Sequence, residues 1–207
     1  MRRLGRSVWL SWLLAAAVPA NVFGGGQIYE PLATSVQAAL HKAISDQAAP
    51  YLAFATEGEA RTWLAAMSRK LIKRLPDRSN REEFLVTVHY EAKRAGLDPQ
   101  LVLGLIQVES NFRKYAVSTA GARGYMQVMP FWTRLIGNKD HNLFHLRTNL
   151  RYGCVILRHY LDLERGDLYR ALGRYNGSLG QPEYPTMVER AWQRDWYYRT
   201  VSTVGTR

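Results

Sequence analysis

The chain has 207 residues, of which 47% are hydrophobic and 22% charged, with a formal net charge of +11 at pH 7. That length and balance suit one compact domain with a real core and some additional chain, and exclude a disordered or low-complexity polymer. The basic excess calls for an anionic partner, which nucleic acid, a membrane surface or a carboxylate-rich cell wall would each satisfy. The single cysteine, Cys154, excludes an internal disulfide.

In chain order, Arg2, Arg3 and Arg6 precede an apolar run from Ser7 to Ala20, which closes on the small residues Val18-Pro19-Ala20. This basic, apolar, small-residue order predicts a secretory signal peptide over 1–20. The run is short for a bilayer span, no lipoprotein cysteine follows it, and its removal leaves the remainder basic. The expected location is the periplasm or the exterior of a Gram-negative bacterium, without a stable membrane anchor. Gly24-Gly25-Gly26 reads as a flexible joint. Helical spacing then predicts helices near Pro31 to Asp46 and over Glu57 to Leu75.

Pro76 and Asp77 break the chain, and the Ser79, Asn80 and Glu82-Glu83 cluster predicts a helix start, with acids in the first turn. That helix runs to Ala95, with Gly96 as its C-terminal cap. Asp98-Pro99 opens the next helix, since aspartate caps free N–H groups and proline fits the first helical position. Residues 114–130, punctuated by Gly121, Gly124 and Pro130, form a loop. A long helix is predicted from Leu146 to Glu164, with shorter ones before Tyr175 and after Tyr184. On the long helix Leu146, Leu150, Cys154, Leu157 and Leu161 share a face, which makes Cys154 a core residue rather than a nucleophile. With no alternating strand pattern, the expected fold class is all-α.

The chemistry concentrates in Leu101 to Ser110. Val102, Leu105 and Ile106 lie on the helix face that Glu109 continues. A carboxylate on an apolar stripe is costly to ionise, and the C-terminal end of a helix disfavours negative charge. Both effects raise its pKa and suit a proton donor. A Glu109 turned outward into solvent is the competing reading of this segment alone.

Three segments weigh on that choice: Glu109-Ser110, then Ser118-Thr119-Ala120-Gly121-Ala122-Arg123-Gly124-Tyr125-Met126-Gln127-Val128-Met129-Pro130, then Arg174-Tyr175-Asn176-Gly177. In this order and spacing they resemble the signature segments of the lytic transglycosylases with a soluble-lytic-transglycosylase (SLT), lysozyme-like domain, and the likeness covers about residues 80 to 195. The resemblance implies an all-α, lysozyme-like helical catalytic domain at 79–200 and an N-terminal helical extension at 27–78. It implies Glu109 as sole catalytic acid and base. Ser118, Gln127 and Met129 would contact sugars or position the acid, Tyr175 would bring its hydroxyl to the carboxylate, and Asn176 would stand beside it in a structural role. The sequence departs from the family at Tyr125, where leucine is commonest, at Arg174, where alanine is usual, and at Gly177, where the glycine follows asparagine directly. Met126, Met129 and Tyr175 also admit plain packing roles.

The resemblance further implies peptidoglycan glycan strands as substrate, cleavage between N-acetylmuramic acid and N-acetylglucosamine, a 1,6-anhydromuramoyl product and no cofactor. No second carboxylate pairs convincingly with Glu109 along the sequence, as two-carboxylate glycosidases would need. A goose-type lysozyme that uses water and a non-catalytic wall-binding scaffold stay open. A cell-wall or secretion-machinery protein remains a candidate partner for the extension. A nucleic-acid partner would need more than the Arg69-Lys70 to Arg74 run, and His141, His145 and His159 lack a zinc-site pattern.

Overall fold

Every regular element among the described residues, 26–45 and 48–199 of the computed structural model, is helical. The leader read at 1–20 lies outside those residues. The elements are α1 (Thr34–Ile44), α2 (Glu57–Leu71), α3 (Arg78–Arg94), α4 (Pro99–Ser110), α5 (Phe131–Ile136), α6 (Leu146–Leu163), α7 (Leu168–Asn176) and α8 (Glu183–Arg190), continued by a π-turn at Ala191–Asp195. The all-α class stands.

Helix starts follow local capping chemistry. The side chains of Thr56, Asp77, Asp98 and Asp167 each accept a first-turn backbone N–H, at 3.2 Å from Glu59, 2.7 Å from Asn80, 2.7 Å from Gln100 and 3.0 Å from Arg170. Asp77 is therefore the cap of α3, and Ser79 and Asn80, read as its beginning, already lie in the first turn. Gly96 takes the left-handed conformation expected of it, with φ +68°, and the N–H of Leu97 closes on the Ala92 carbonyl at 2.8 Å. Helix α2 stops at Leu71 instead of Leu75, and the chain continues in a turn where the Arg74 N–H bonds the Leu71 carbonyl three residues back at 2.9 Å.

Helix α4 is the centre of the packing. Leu101, Val102, Leu103, Gly104, Leu105 and Ile106 are all buried, so it is apolar around its whole circumference. Helices α3 and α8 and the π-turn pack against it. The π-turn comes so close that a Cβ on Gly104 would sit 2.9 Å from the Trp192 backbone nitrogen, a distance only glycine permits. Helix α1 packs on α5 and α6, and α2 on α3. Trp63, Met67 and Leu71 of α2 join the same continuous core as α4 and α6.

A cluster of buried charges sits in this packing. The Glu91 carboxylate on α3 is fully enclosed and accepts from Arg151 at 2.9 Å, Arg94 at 3.2 Å and Arg147 at 3.3 Å. Arg151 also donates to the Ile44 carbonyl at 3.1 Å and Arg94 to that of Ala43, tying the end of α1 to α3 and α6. Cys154 is wholly buried, and burial pushes its thiol well above the usual range.

Candidate active site

Glu109 occupies the last turn of α4, and the chain leaves that helix sharply because Asn111 and Phe112 both adopt positive φ, +49° and +64°. Asparagine tolerates this region; for phenylalanine it is strained, and Phe112 is held there by burial against Phe84 and Trp196. The residue Glu109 is half-buried. Burial pushes its carboxyl up to about 8, and the hydroxyl of Tyr184, which donates to Oε1, pulls partly the other way. Tyr184 is 2% exposed, and its own phenol is pushed well above the usual range by burial and by Glu109. Around this carboxyl the two working groups are therefore a neutral acid and a phenol that donates to it.

Below Glu109 runs the loop 116–130, folded by two isolated antiparallel bridges, Val117 with Arg123 and Arg123 with Val128. Side chains from three helices hold its backbone. Ser110 of α4 donates to the Tyr125 carbonyl at 2.7 Å. Asn149 of α6, fully buried, accepts from the Met126 N–H at 2.8 Å and donates to the Arg123 and Leu143 carbonyls at 2.8 and 2.9 Å. Tyr175 of α7 donates to the Met126 carbonyl at 2.7 Å. Gly124, with φ +75°, leaves room for this, since a Cβ there would meet the Asn149 amide nitrogen at 2.5 Å. A fourth anchor, Gln27, comes from the chain ahead of α1.

The site residues read from the sequence take the following places. Ser118 accepts the Ala122 N–H at 3.1 Å and shapes the loop. Gln127, at φ +48°, donates to the carbonyls of Gly124 at 2.9 Å and Ala116 at 3.1 Å, so its amide braces the loop from within. Met129 is half-buried beside Gly26, and Met126 packs fully buried against Gly153 of α6. Asn176 ends α7, 4% exposed. The hydroxyl that hydrogen-bonds the glutamate belongs to Tyr184, while the Tyr175 phenol, pushed up by burial and then by the Glu109 charge, does not bond to it. Tyr175 is completely buried on the inner face of α7, and its hydroxyl ends on the loop backbone.

Sequence reasoning missed Tyr184 and the bonding role of Asn149. Tyr184 lies on a short helix 75 residues from its partner, and pairing across helices leaves no mark in local spacing. The π-turn beside the site is fixed by Gln107, which donates to Asp195 at 2.8 Å and accepts from the Trp196 indole at 2.9 Å. A hollow of about 270 Å³ between α4 and α8 is lined by Gln107, Val108, Met187, Arg190 and Arg194. His141 bonds the Tyr152 hydroxyl at 2.8 Å, while His145 stands at the start of α6, so the two do not share a helix face.

Residues 87–185 match the family model described as Transglycosylase SLT domain. A transglycosylase of Enterobacteria phage PRD1 is 34% identical over 98 residues, which is 47% of this chain and 36% of that protein. The membrane-bound lytic murein transglycosylase C of Haemophilus ducreyi is 48% identical over 114 residues, 47% of this chain and 31% of its own length. Its namesake from Actinobacillus pleuropneumoniae serotype 5b is 52% identical over 48 residues, 23% of this chain and 13% of that protein. The chain thus spans about a third or less of the length of these curated relatives.

Proposed function

From the match of residues 87–185 to the transglycosylase SLT domain we propose that the protein is a peptidoglycan lytic transglycosylase. It cleaves the β-1,4 bond between N-acetylmuramic acid and N-acetylglucosamine and leaves a 1,6-anhydromuramoyl end. The observation that carries this reading is the Glu109 carboxyl, raised to about 8 by burial and touched by the Tyr184 hydroxyl. A carboxyl raised this far above the ordinary glutamate range keeps its proton near neutral pH, so Glu109 is ready to protonate the glycosidic oxygen.

As the bond to the leaving sugar breaks, Glu109 becomes a carboxylate and the Tyr184 hydrogen bond strengthens on the new charge. The substrate's own 2-acetamido group stabilises the developing cation at C1, as in other substrate-assisted families. The carboxylate then takes the proton from the muramoyl C6 hydroxyl, that oxygen closes on C1, and Glu109 returns to its starting state without consuming water. One carboxyl serves both steps, which suits a site where burial and one phenol account for its pKa. In this scheme Ser118 keeps its own hydroxyl proton for a sugar oxygen, Met129 forms apolar wall, and Gln127, Tyr175 and Asn176 keep the loop and α7 in place.

A wall substrate fits the basic charge of the chain, and the leader read at 1–20 supports export to the periplasm or beyond. Among the described residues no helix is long and apolar enough to cross a membrane. The test is digestion of purified sacculi, with the muropeptides read by mass spectrometry. Anhydro ends are expected. Ordinary reducing ends would assign a water-using muramidase, and no release at all would assign a wall-binding scaffold.

A further inference from the structure

We propose that Gln27, outside the matched family domain, is a positioning residue of the active site, and that Gly26 to Glu30 form a built-in brace for it. The inference rests on the transglycosylase reading for its catalytic consequence and on geometry for the rest. Gln27 is 4% exposed. Its amide donates to the carbonyls of Tyr175 at 3.0 Å and Gln127 at 3.2 Å, and its oxygen accepts from the Met129 N–H at 2.8 Å. These backbone groups need an outside partner: Gln127 and Met129 lie in a loop, and the Tyr175 carbonyl belongs to the last turn of α7, where helices leave carbonyls unpaired. One side chain thus joins the second and third signature segments to each other.

Two of the three departures from the family pattern meet this brace. Arg174, where alanine is usual, pairs with Glu30 at 3.2 Å while also holding Glu164. Gly177, directly after Asn176, lies against the Gly26 carbonyl, which a Cβ at that position would meet at 2.4 Å. Gly26 in turn has no room to spare: a Cβ on it would sit 3.0 Å from the Met129 sulfur. Beyond Gln27, Tyr29 stacks edge-on against Phe131 with ring centroids 5.6 Å apart. The arginine that holds Glu164 and the glycine that caps α7 with a left-handed φ of +78° both also contact the segment that crosses them.

The path to the acid is short. Gln27 fixes Gln127 and Met129, the neighbouring Met126 carbonyl receives the Tyr175 hydroxyl, and Tyr125 receives Ser110, the residue after Glu109. Releasing one anchor lets the loop relax and admits water beneath the carboxyl. Burial raises the Glu109 pKa against the opposing Tyr184 hydrogen bond, so wetting the site moves its titration back toward ordinary glutamate.

The full chain should be compared with Gln27→Leu, which loses all three bonds, and Gln27→Asn, which keeps an amide too short to span them. Leu71→Ala in α2 serves as a destabilised control remote from the site. On soluble glycan strands the Gln27 variants are expected to lose about tenfold to a hundredfold in kcat with KM little changed, as misplaced catalytic groups do. Carbon-13 NMR of the Glu109 carboxyl should show its titration midpoint falling. Unchanged kcat and midpoint would overturn the proposal, as would a loss no greater than that of Leu71→Ala at equal Tm. If the parent released no anhydromuropeptides, the transglycosylase reading would fail while the NMR titration still decided the role of Gln27.

Discussion

Replacing Tyr184 with phenylalanine deletes one hydroxyl and leaves the ring that α8 buries. That hydroxyl donates to Glu109 from an enclosed position, and it lowers the acid's pKa. A hydrogen bond to a charged group contributes about 1.5–3 kcal/mol, equivalent to one to two pH units of titration at about 1.36 kcal/mol each. Tyr184→Phe should therefore move the alkaline limb of the kcat profile upward by about one to two pH units, since Glu109 must be protonated to act. The same lost bond leaves the carboxylate formed during bond cleavage less stable, which lowers kcat about tenfold to a hundredfold at pH 7. KM should stay nearly constant because the bond matters most once the charge has formed. The assay is initial-rate release of anhydromuropeptides from pH 5 to 10. A variant slower than the parent yet active to higher pH supports the reasoning; parental kcat with an unmoved limb refutes it.

Glu109→Gln should abolish glycan cleavage and also change the pH dependence of stability. The folded-state pKa of about 8 lies above the model value of 4.5, so the parent's stabilisation from this proton is full below about 4.5 and gone above about 8. Thermal melts of parent and variant should thus diverge in favour of the variant as pH rises through that window, and parallel curves would count against a buried Glu109. Glu91→Gln leaves three arginines facing an uncharged amide and should destabilise the fold by about 3–5 kcal/mol in urea titrations. Cys154 should resist thiol-specific reagents in the native protein and react once denatured, because it is buried with a raised pKa. Gly124→Ala should cost both stability and activity, since its φ of +75° and the Asn149 amide leave no place for a methyl group.

Local chemistry made much of this structure readable from the sequence. Asp98-Pro99 marked the start of α4 correctly because capping involves neighbouring residues, whereas the 3.6-residue period only put Glu109 in line with Val102, Leu105 and Ile106 and left an outward-facing carboxylate open. Helix α5, only six residues long, is too short to display that period. Tertiary pairings were invisible: Tyr184 and Tyr175 are both buried tyrosines on short helices, and only the folded arrangement decides which hydroxyl reaches the acid and which reaches the loop. Gln27 gave no signal for the same reason, its three partners lying about 100 to 148 residues away.

Trp63, Met67 and Leu71 reach into the interior that α4 and α6 share. A gene trimmed to begin at 79 would therefore yield a sticky polypeptide, its flank of α3 stripped of the cover those three side chains provide. The matched family segment cannot be swapped between proteins as a free-standing cassette unless its surroundings travel with it.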